Sequence, residues 1–477
     1  MSENNNSVNQ NPTPATNELT PIPSNADPSD LLETNEYSVY NNKLRFNNGL
    51  QDKFLTNDPA ITYFKASMKK YGDFAIDTKK IETSGNFGQI FDIKIPRMGD
   101  LVHKIYIEIT LDASSTSGNS SYINWVNNTA HSIIESVEFY IGGFLVDKHD
   151  SVFLDILTEI DDASHEDWLL LNKHRAKNAY LRSKTELVPN KLFIPLQFWF
   201  CKNPGMAFPI VSVPESIEIR LRAKFRNLES LINCDGTSAS VQFGNNKVNV
   251  YVDYIHLTEM ERTMFMEENI EYLIEQTQVI KNDVRSNMIN ISEFNHPVKE
   301  LIWVFREKEC LVENKKKSNL SGIDAQINKD GSPFTQGNDF LNYGCANQKN
   351  NLYVGGFQNF DHFNKVSLQI NGSEFFPFRD AVYFRTIQPL THHGVVPEKN
   401  IYIYSFALRP NDQQPTGTLN FSQVDKNTYL SFEDINIGSE ISVYAVSYNV
   451  LRIQKKKKVD NEIVKLDSPI VQVLFLN

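Results

Sequence analysis

The chain has 477 residues, of which 40% are apolar and 22% charged, with 31 Phe, 19 Tyr and a formal net charge of −11. That length exceeds the size at which one hydrophobic core usually stops growing, so two domains are expected, and the wealth of aromatic rings leans towards sheet. The negative balance argues against a general nucleic-acid binder, which needs a surplus of Lys and Arg where it meets phosphate.

Residues 1–45 are dominated by Asn, Ser, Thr, Pro and Glu. Such a composition buries too little surface to offset ordering entropy and reads as a disordered or extended N-terminal tail. From Phe87 the pattern turns to period two. Phe91, Ile93 and Ile95 alternate with polar residues, and Ile105, Ile107, Ile109 and Leu111 alternate with Tyr106, Glu108 and Thr110. Each such strand has one face towards a core and one towards water.

Further alternating runs at 133–141, 191–198, 217–222 and 248–257 are separated by Gly, Pro, Asn and Ser clusters that read as turns. The stretch 258–276, with Phe265, Tyr272 and Leu273 at helical spacing, reads as a short helix that connects two domains. The boundary falls near residue 275, giving a first domain over 46–275 and a second over 276–477. A second series of alternating runs follows at 298–305, 366–370, 401–408, 441–453 and 470–475. This spacing of short strands suits an antiparallel sandwich or jelly roll.

The second series repeats the first. The residues from Val137 to Gly143 and those from Val366 to Gly372 share apolar positions and a closing Gly at a constant offset of 229. Each is followed by apolar residues at mixed helical spacing, over 151–160 and 379–387, so strand, turn and helix recur in the same order. A duplicated domain accounts for this.

Motifs that carry chemistry are sparse. His392 and His393 are the only adjacent histidines. Neighbours on a strand point to opposite faces, so the pair reads as ordinary loop histidines and not as metal ligands. Glu159, Asp161, Asp162 and Glu166 read as a solvated acidic face. Gly142-Gly143 and Gly355-Gly356 lack the context of a phosphate-binding loop and read as turns. Neither a GxSxG elbow nor an HExxH helix occurs. Cys201, Cys234, Cys310 and Cys345 are too far apart for a zinc site or for dense stapling, and read as reduced thiols of a protein made in the cytosol.

No basic-then-apolar leader and no run of about 18 apolar residues occurs, so neither secretion nor a membrane span is expected. The seven Asn-x-Ser/Thr triplets then read as a by-product of an Asn-rich chain. The basic runs Lys315–Lys317 and Lys455–Lys458 read as solvated loops, with attraction to an anionic lipid or nucleic-acid surface as the functional alternative. No catalytic, cofactor-binding or metal-binding residue is assigned, no cofactor is expected, and the chain is not read as an enzyme.

Several segments resemble the major capsid proteins of nucleocytoplasmic large DNA viruses, the group that includes iridoviruses, phycodnaviruses and marseilleviruses. Residues 49–65 are similar to that family's opening motif, and Ile141-Gly142-Gly143 to its strand-ending turn. Residues 195–205, an aromatic run ending in Asn203-Pro204-Gly205, look like its most recognisable signature, an aromatic strand closed by Asn-Pro-Gly. Residues 271–276 resemble its interdomain connector. Residues 388–393, 401–410 and 414–422 are similar to its C-terminal block, which makes His392 and His393 part of a structural element. The Asn-rich tail and the polar stretch 307–351 depart from the family's shorter patterns.

The resemblance implies an all-β double jelly roll, two tandem eight-stranded antiparallel sandwiches with short helices in the loops. It further implies a homotrimer that forms a pseudo-hexagonal capsomer and tiles an icosahedral virion shell assembled in the host cytoplasm. Partners would be neighbouring capsomers, minor capsid and penton proteins and an internal viral membrane, with no specific nucleic acid. A minor capsid paralogue of the same fold is one alternative. Another is a jelly roll that binds carbohydrate or a receptor, because sandwiches of this kind also serve as lectins.

Overall fold

The computed structural model describes residues 73–160 except 84, 116–122 and 127; 190–306 except 235–240; 308; 340–344 except 342; and 361–474 except 426, 455–456, 461–462 and 467–469. The expected tail, the opening motif at 49–65 and most of the polar stretch 307–351 lie outside the described residues.

Eight of the strands described in the first half build its two main sheets, beside two short two-stranded pairs, Ile123–Trp125 with Ile232–Cys234 and Ala113–Ser115 with Val241–Phe243. The eight are β1 (Ala75–Glu82), β2 (Ile90–Lys94), β3 (Leu101–Leu111), β4 (Ile134–Ile141), β5 (Phe144–Asp150), β6 (Asn190–Pro195), β7 (Ile219–Phe225) and β8 (Lys247–His256). They form two antiparallel sheets ordered β1-β8-β3-β6 and β2-β7-β4-β5. The inward residues are those of the period-two reading. Phe91, Ile93, Ile105, Ile107, Ile109 and Leu111 are all buried in one core.

The second half repeats the plan with β9 (Ile270–Asp283), β10 (Met288–Asn290), β11 (Pro297–Arg306), β12 (Lys365–Ile370), β13 (Ser373–Asp380), β14 (Tyr402–Ser405), β15 (Tyr429–Glu433) and β16 (Glu440–Gln454). Their sheets run β9-β16-β11-β14 and β10-β15-β12-β13. Adding eight to every strand number of the first pair of sheets gives the strand order of the second pair, to which Leu419–Asn420 adds beside β11 and Ile470–Leu474 beside β16. This is a double jelly roll.

The repeat extends to turn geometry. The β4–β5 hairpin closes through Gly142 and Gly143, with φ of 58° and 89°, and the β12–β13 hairpin through Asn371 and Gly372, with φ of 54° and 75°. Positive φ at both central residues is what a two-residue type I′ turn requires. At Gly142 an added Cβ would lie 2.9 Å from Ile217 Cγ2, so any side chain there would also have to displace Ile217. Each second strand then carries a one-residue bulge at the same point, Val146 in β5 and Phe375 in β13. Each leads directly into a helical segment, α1 (Ser151–Ile160) after β5 and residues 381–392 after β13.

Three local expectations need correction. The aromatic run at 195–205 is not a strand throughout. β6 stops at Pro195, and Trp199–Lys202 form a helical turn, α2. A strand would turn one of three consecutive aromatics outward, whereas this bend buries Phe198, Trp199 and Phe200 together around Phe139, at ring distances of 5.6, 5.6 and 4.9 Å. In the connector only Glu259–Glu267 is helical, α3, capped by Thr258. Tyr272 and Leu273 belong to β9, where a continuous ladder with β16 overrides their helical spacing.

The third correction concerns β11, which has no wet face. Leu301, Trp303 and Phe305 enter the second core, while Ile302 and Val304 enter the first. The sheet β9-β16-β11-β14 is therefore packed on both sides, and a strand buried on both faces reads as a continuous apolar run. Both halves lie within one compact unit, Asp73–Asn477.

Candidate functional site

The surface that the fold builds with most care is the seam between the two sandwiches, where β5, α1 and α2 of the first half meet the sheet β9-β16-β11-β14 of the second. Its apolar part includes Phe153 of α1 against Tyr444 of β16, ring centroids 5.4 Å apart. Its polar part is a set of buried charges, each of which has a partner.

Three first-half carboxylates sit at successive positions along it. Asp147 accepts the backbone N–H of Thr277 at 3.0 Å and lies 2.9 Å from His149 Nε2. Beside it, Gln276 Nε2 donates to the carbonyl of Val146 at 2.5 Å, so the free edge of β9 is tied to the bulge of β5. Asp150 caps α1 through the N–H of Phe153 at 2.8 Å and receives the Tyr444 hydroxyl at 2.9 Å and Lys281 Nζ at 2.5 Å. Asp155, wholly buried, receives Asn128 Nδ2 at 2.7 Å, the Tyr343 hydroxyl at 2.7 Å and Lys399 Nζ at 2.6 Å.

A second cluster borders a cavity of about 360 Å³ lined by Lys104, His149, Cys201, Glu275, Glu300 and His393 among others. Glu275 of β9 binds Lys202 of α2 at 2.6 Å and Lys299 of β11 at 2.5 Å. Lys299 also donates to the carbonyl of Pro410 at 2.7 Å. Glu300 lies 2.9 Å from His393 Nε2, whose Nδ1 lies 2.9 Å from Asn411 Oδ1.

Burial alone would raise these carboxyls, but their cations outweigh it. Lys202 and Lys299 hold the Glu275 carboxyl at about 2, and His393 and Lys299 hold Glu300 below the ordinary carboxylate range. Asp150 is likewise held low by Lys281 against the opposing effect of burial. Burial pushes the Cys201 thiol up to about 12, which leaves it protonated and a poor nucleophile at neutral pH. The arrangement is one of fixed, mutually satisfied charges that weld two bodies together.

The histidine pair does not lie on a strand or in a solvated loop. The two residues close the helical turn α4 (Gln388–His392), with His392 Nδ1 3.0 Å from the carbonyl of Leu408 and the His393 side chain buried against Glu300. Among the described residues no group of three His, Cys, Asp or Glu side chains is placed to hold a metal ion. Asp161, Asp162, Glu166, Gly355, Gly356 and Lys315–Lys317 lie outside the described residues. Lys457 and Lys458 fall on a short strand, Lys457–Asp460, paired with Ile463–Leu466, and not in a long loop.

Of the seam residues, His393, Cys201 and the 271–276 stretch with Glu275 and Gln276 were named from the sequence, none of them for this role, although one further signal was present. Lys299 and Glu300 interrupt an otherwise apolar strand, and charges at such positions must be paired across an interface.

Comparison with known proteins agrees with this architecture. Residues 62–258 match the family model of the major capsid protein N-terminus, and residues 261–457 that of the large eukaryotic DNA virus major capsid protein. The major capsid protein of Pyramimonas orientalis virus is 32% identical over 433 residues, covering 85% of this chain and 94% of that protein. The one from Paramecium bursaria Chlorella virus 1 is 29% identical, covering 85% and 95%. Among solved structures, the quasi-atomic PBCV-1 virus capsid superposes with a TM-score of 0.61 at 25% identity, covering 82% of this chain and 97% of that one. The Faustovirus major capsid protein shares the fold at 12% identity, with a TM-score of 0.60 over 88% and 98% of the two chains.

Proposed function

Because this chain belongs to the major capsid protein family of large eukaryotic DNA viruses and is a structural component of the virion shell, we propose that it works as a homotrimer. Three copies, each with two sandwiches of one strand order, form a pseudo-hexagonal capsomer, and capsomers tile an icosahedral shell. The observation that carries this reading is the repeat of β1–β8 in β9–β16, since a near-sixfold outline from three chains needs two near-equivalent bodies per chain. The welded seam supports it, because bodies fixed rigidly to each other can repeat one geometry around a ring.

The function is structural and not enzymatic. What supports this is a seam whose buried charges are all spent on one another and a buried thiol held in its unreactive form. The same reading places the protein in contact with itself in the shell, with minor capsid and penton proteins at its borders and an internal viral membrane beneath, after assembly in the host cytoplasm. It divides the chain into a tail over 1–45 and domains over 46–275 and 276–477. Strands up to His256 pair among themselves, as do strands from Ile270 onward, which supports a division in that region.

Light scattering behind a sizing column tests the trimer. A species near three times 54.7 kDa is expected. A monomer that persists at every concentration would overturn it.

A further inference from the structure

Asn128, Asp155 and Lys399 come from three distant stretches of the chain and meet beside α1. Asn128 and Asp155 are wholly buried, and Lys399 is 7% exposed. Asp155 Oδ1 accepts Asn128 Nδ2 at 2.7 Å, while Asp155 Oδ2 accepts Lys399 Nζ at 2.6 Å and the Tyr343 hydroxyl at 2.7 Å. The two oxygens of a carboxylate share one carbon, so this single group holds a primary amine and a carboxamide side by side.

The carboxamide is fixed on its other sides as well. Asn128 takes the left-handed backbone conformation, with φ of 49° and ψ of 55°, just before the helical turn Thr129–Ile133. Its Nδ2 lies 3.0 Å from His131 Nδ1, and its Oδ1 accepts the backbone N–H of His131 at 3.4 Å. The carbonyl carbon is thereby held in one orientation, with an N–H donor on its oxygen and a lysine next to its nitrogen.

These are the parts of an amide exchange. A desolvated lysine is a nucleophile once it gives up a proton, and a carboxylate in contact with it can take that proton. Burial disfavours charged forms, so passing the proton from ammonium to carboxylate is easier here than in water. A backbone N–H on the carbonyl oxygen stabilises the charge that develops there when the carbon is attacked. Asp155 is the poorer electrophile of the two acyl groups, because an ionised carboxylate resists attack and Asp155 is needed to carry the proton.

We propose that Lys399 Nζ and Asn128 Cγ become joined in an isopeptide bond that the chain makes on itself. Asp155 takes a proton from the Lys399 ammonium, and the Nζ lone pair attacks Cγ, forming the C–N bond as charge moves to Oδ1. Asp155 then gives its proton to Nδ2, the Cγ–Nδ2 bond breaks, and the departing ammonia takes up the second Nζ proton to leave as ammonium. One positive charge enters and one leaves, and no oxidant or reductant is consumed. The ion pair between Asp155 and Lys399 is the state from which the reaction starts. The product ties the first half to the second by a covalent bond where ion pairs already hold them. A cross-link between residues so far apart restricts the unfolded chain as a long-loop disulfide does, and reductants do not break it.

Mass spectrometry of the full-length chain, denatured and reduced, tests this. The wild type should be lighter than its sequence requires by one ammonia, and its tryptic digest should contain a branched peptide that joins residues 128 and 399. Lys399→Arg, which keeps the charge but cannot make the same bond, and Asp155→Asn, which cannot take the proton, should both have the masses of their sequences. A wild type of full sequence mass with no branched peptide, after prolonged incubation in the folded state, overturns the proposal. So does loss of ammonia without a branched peptide, which marks a succinimide. A branched peptide joining residues 155 and 399 with loss of water overturns the assignment to Asn128, and a linked Asp155→Asn chain overturns the role of Asp155. The wild-type digest decides the question even where a variant fails to fold.

Discussion

The Asp155 carboxylate and the Lys399 ammonium lie 2.6 Å apart although 244 positions separate them, and both are almost entirely withdrawn from solvent. One belongs to the helix that follows the first hairpin and the other to the second half, so this pair records how the two sandwiches are locked. A buried pair adds little over an apolar substitute, but removing one member leaves the other unpaired at a cost of about 3–5 kcal/mol. Asp155→Ala should therefore destabilise the chain by that amount, and Asp155→Ala with Lys399→Met should recover much of the loss. Urea unfolding measures both. Single and double variants of equal stability would show that the pair does not couple the halves.

Acid should loosen the seam in a defined window. Glu275 and Glu300 have folded values below those of the unfolded chain, so below about pH 4.5 the unfolded state takes up protons first. The stabilisation is complete above that pH and is lost as pH falls towards about 2. Burial works against the Lys299 ammonium that partners Glu275, so the net contribution of the pair is smaller than the shift of Glu275 alone would give. Unfolding free energies measured from pH 6 to pH 2.5 should fall steeply for the wild type and less steeply for Glu275→Gln. Parallel curves would remove Glu275 from the account.

The two histidines should behave very differently. His393→Ala strands the buried Glu300 carboxylate and should cost about 3–5 kcal/mol, whereas His392→Ala, which loses a hydrogen bond at an exposed site, should cost about 1 kcal/mol or less. Thermal melts of the two variants decide it, and equal effects would contradict the seam assignment of His393.

Much of the fold was legible from period-two alternation, because a strand packed on one face must alternate, and β2, β3, β4 and β8 do. The duplication was legible too, since a type I′ turn restricts its central residues so strongly that Gly142-Gly143 and Asn371-Gly372 mark the same turn. What was not legible depended on partners distant in the chain. β11 looks like a half-wet strand until the first sandwich covers its second face, and Asp150, Asp155 and Lys399 look like surface charges until the seam closes over them. The helical turn at Trp199–Lys202 was hidden for a related reason, because only the cluster around Phe139 requires three adjacent aromatics to face one way.

The first hairpin should be the less forgiving of the two. Gly142→Ala meets both positive φ and Ile217 and should cost about 1–3 kcal/mol, while at Gly372 an added Cβ meets nothing within 4 Å and only the backbone term remains. Denaturant midpoints of the two Ala variants test this, and a larger loss at Gly372 would contradict it.

Cys201 should be silent towards thiol reagents in the native state. It is buried beside the seam cavity, with its ionisation pushed up to about 12, so labelling should proceed only as fast as the region opens. Peptide mapping after timed alkylation measures this. Labelling of Cys201 within seconds at neutral pH would mean that the seam is open.

Whether one pair of like sandwiches supplies two of six positions in a three-chain ring is read from electron microscopy of the purified protein. Compact particles with a near-hexagonal outline are expected, with averages that hold three chains around one axis, each contributing both halves. Isolated two-lobed particles, or rings of any other copy number, would contradict that arrangement.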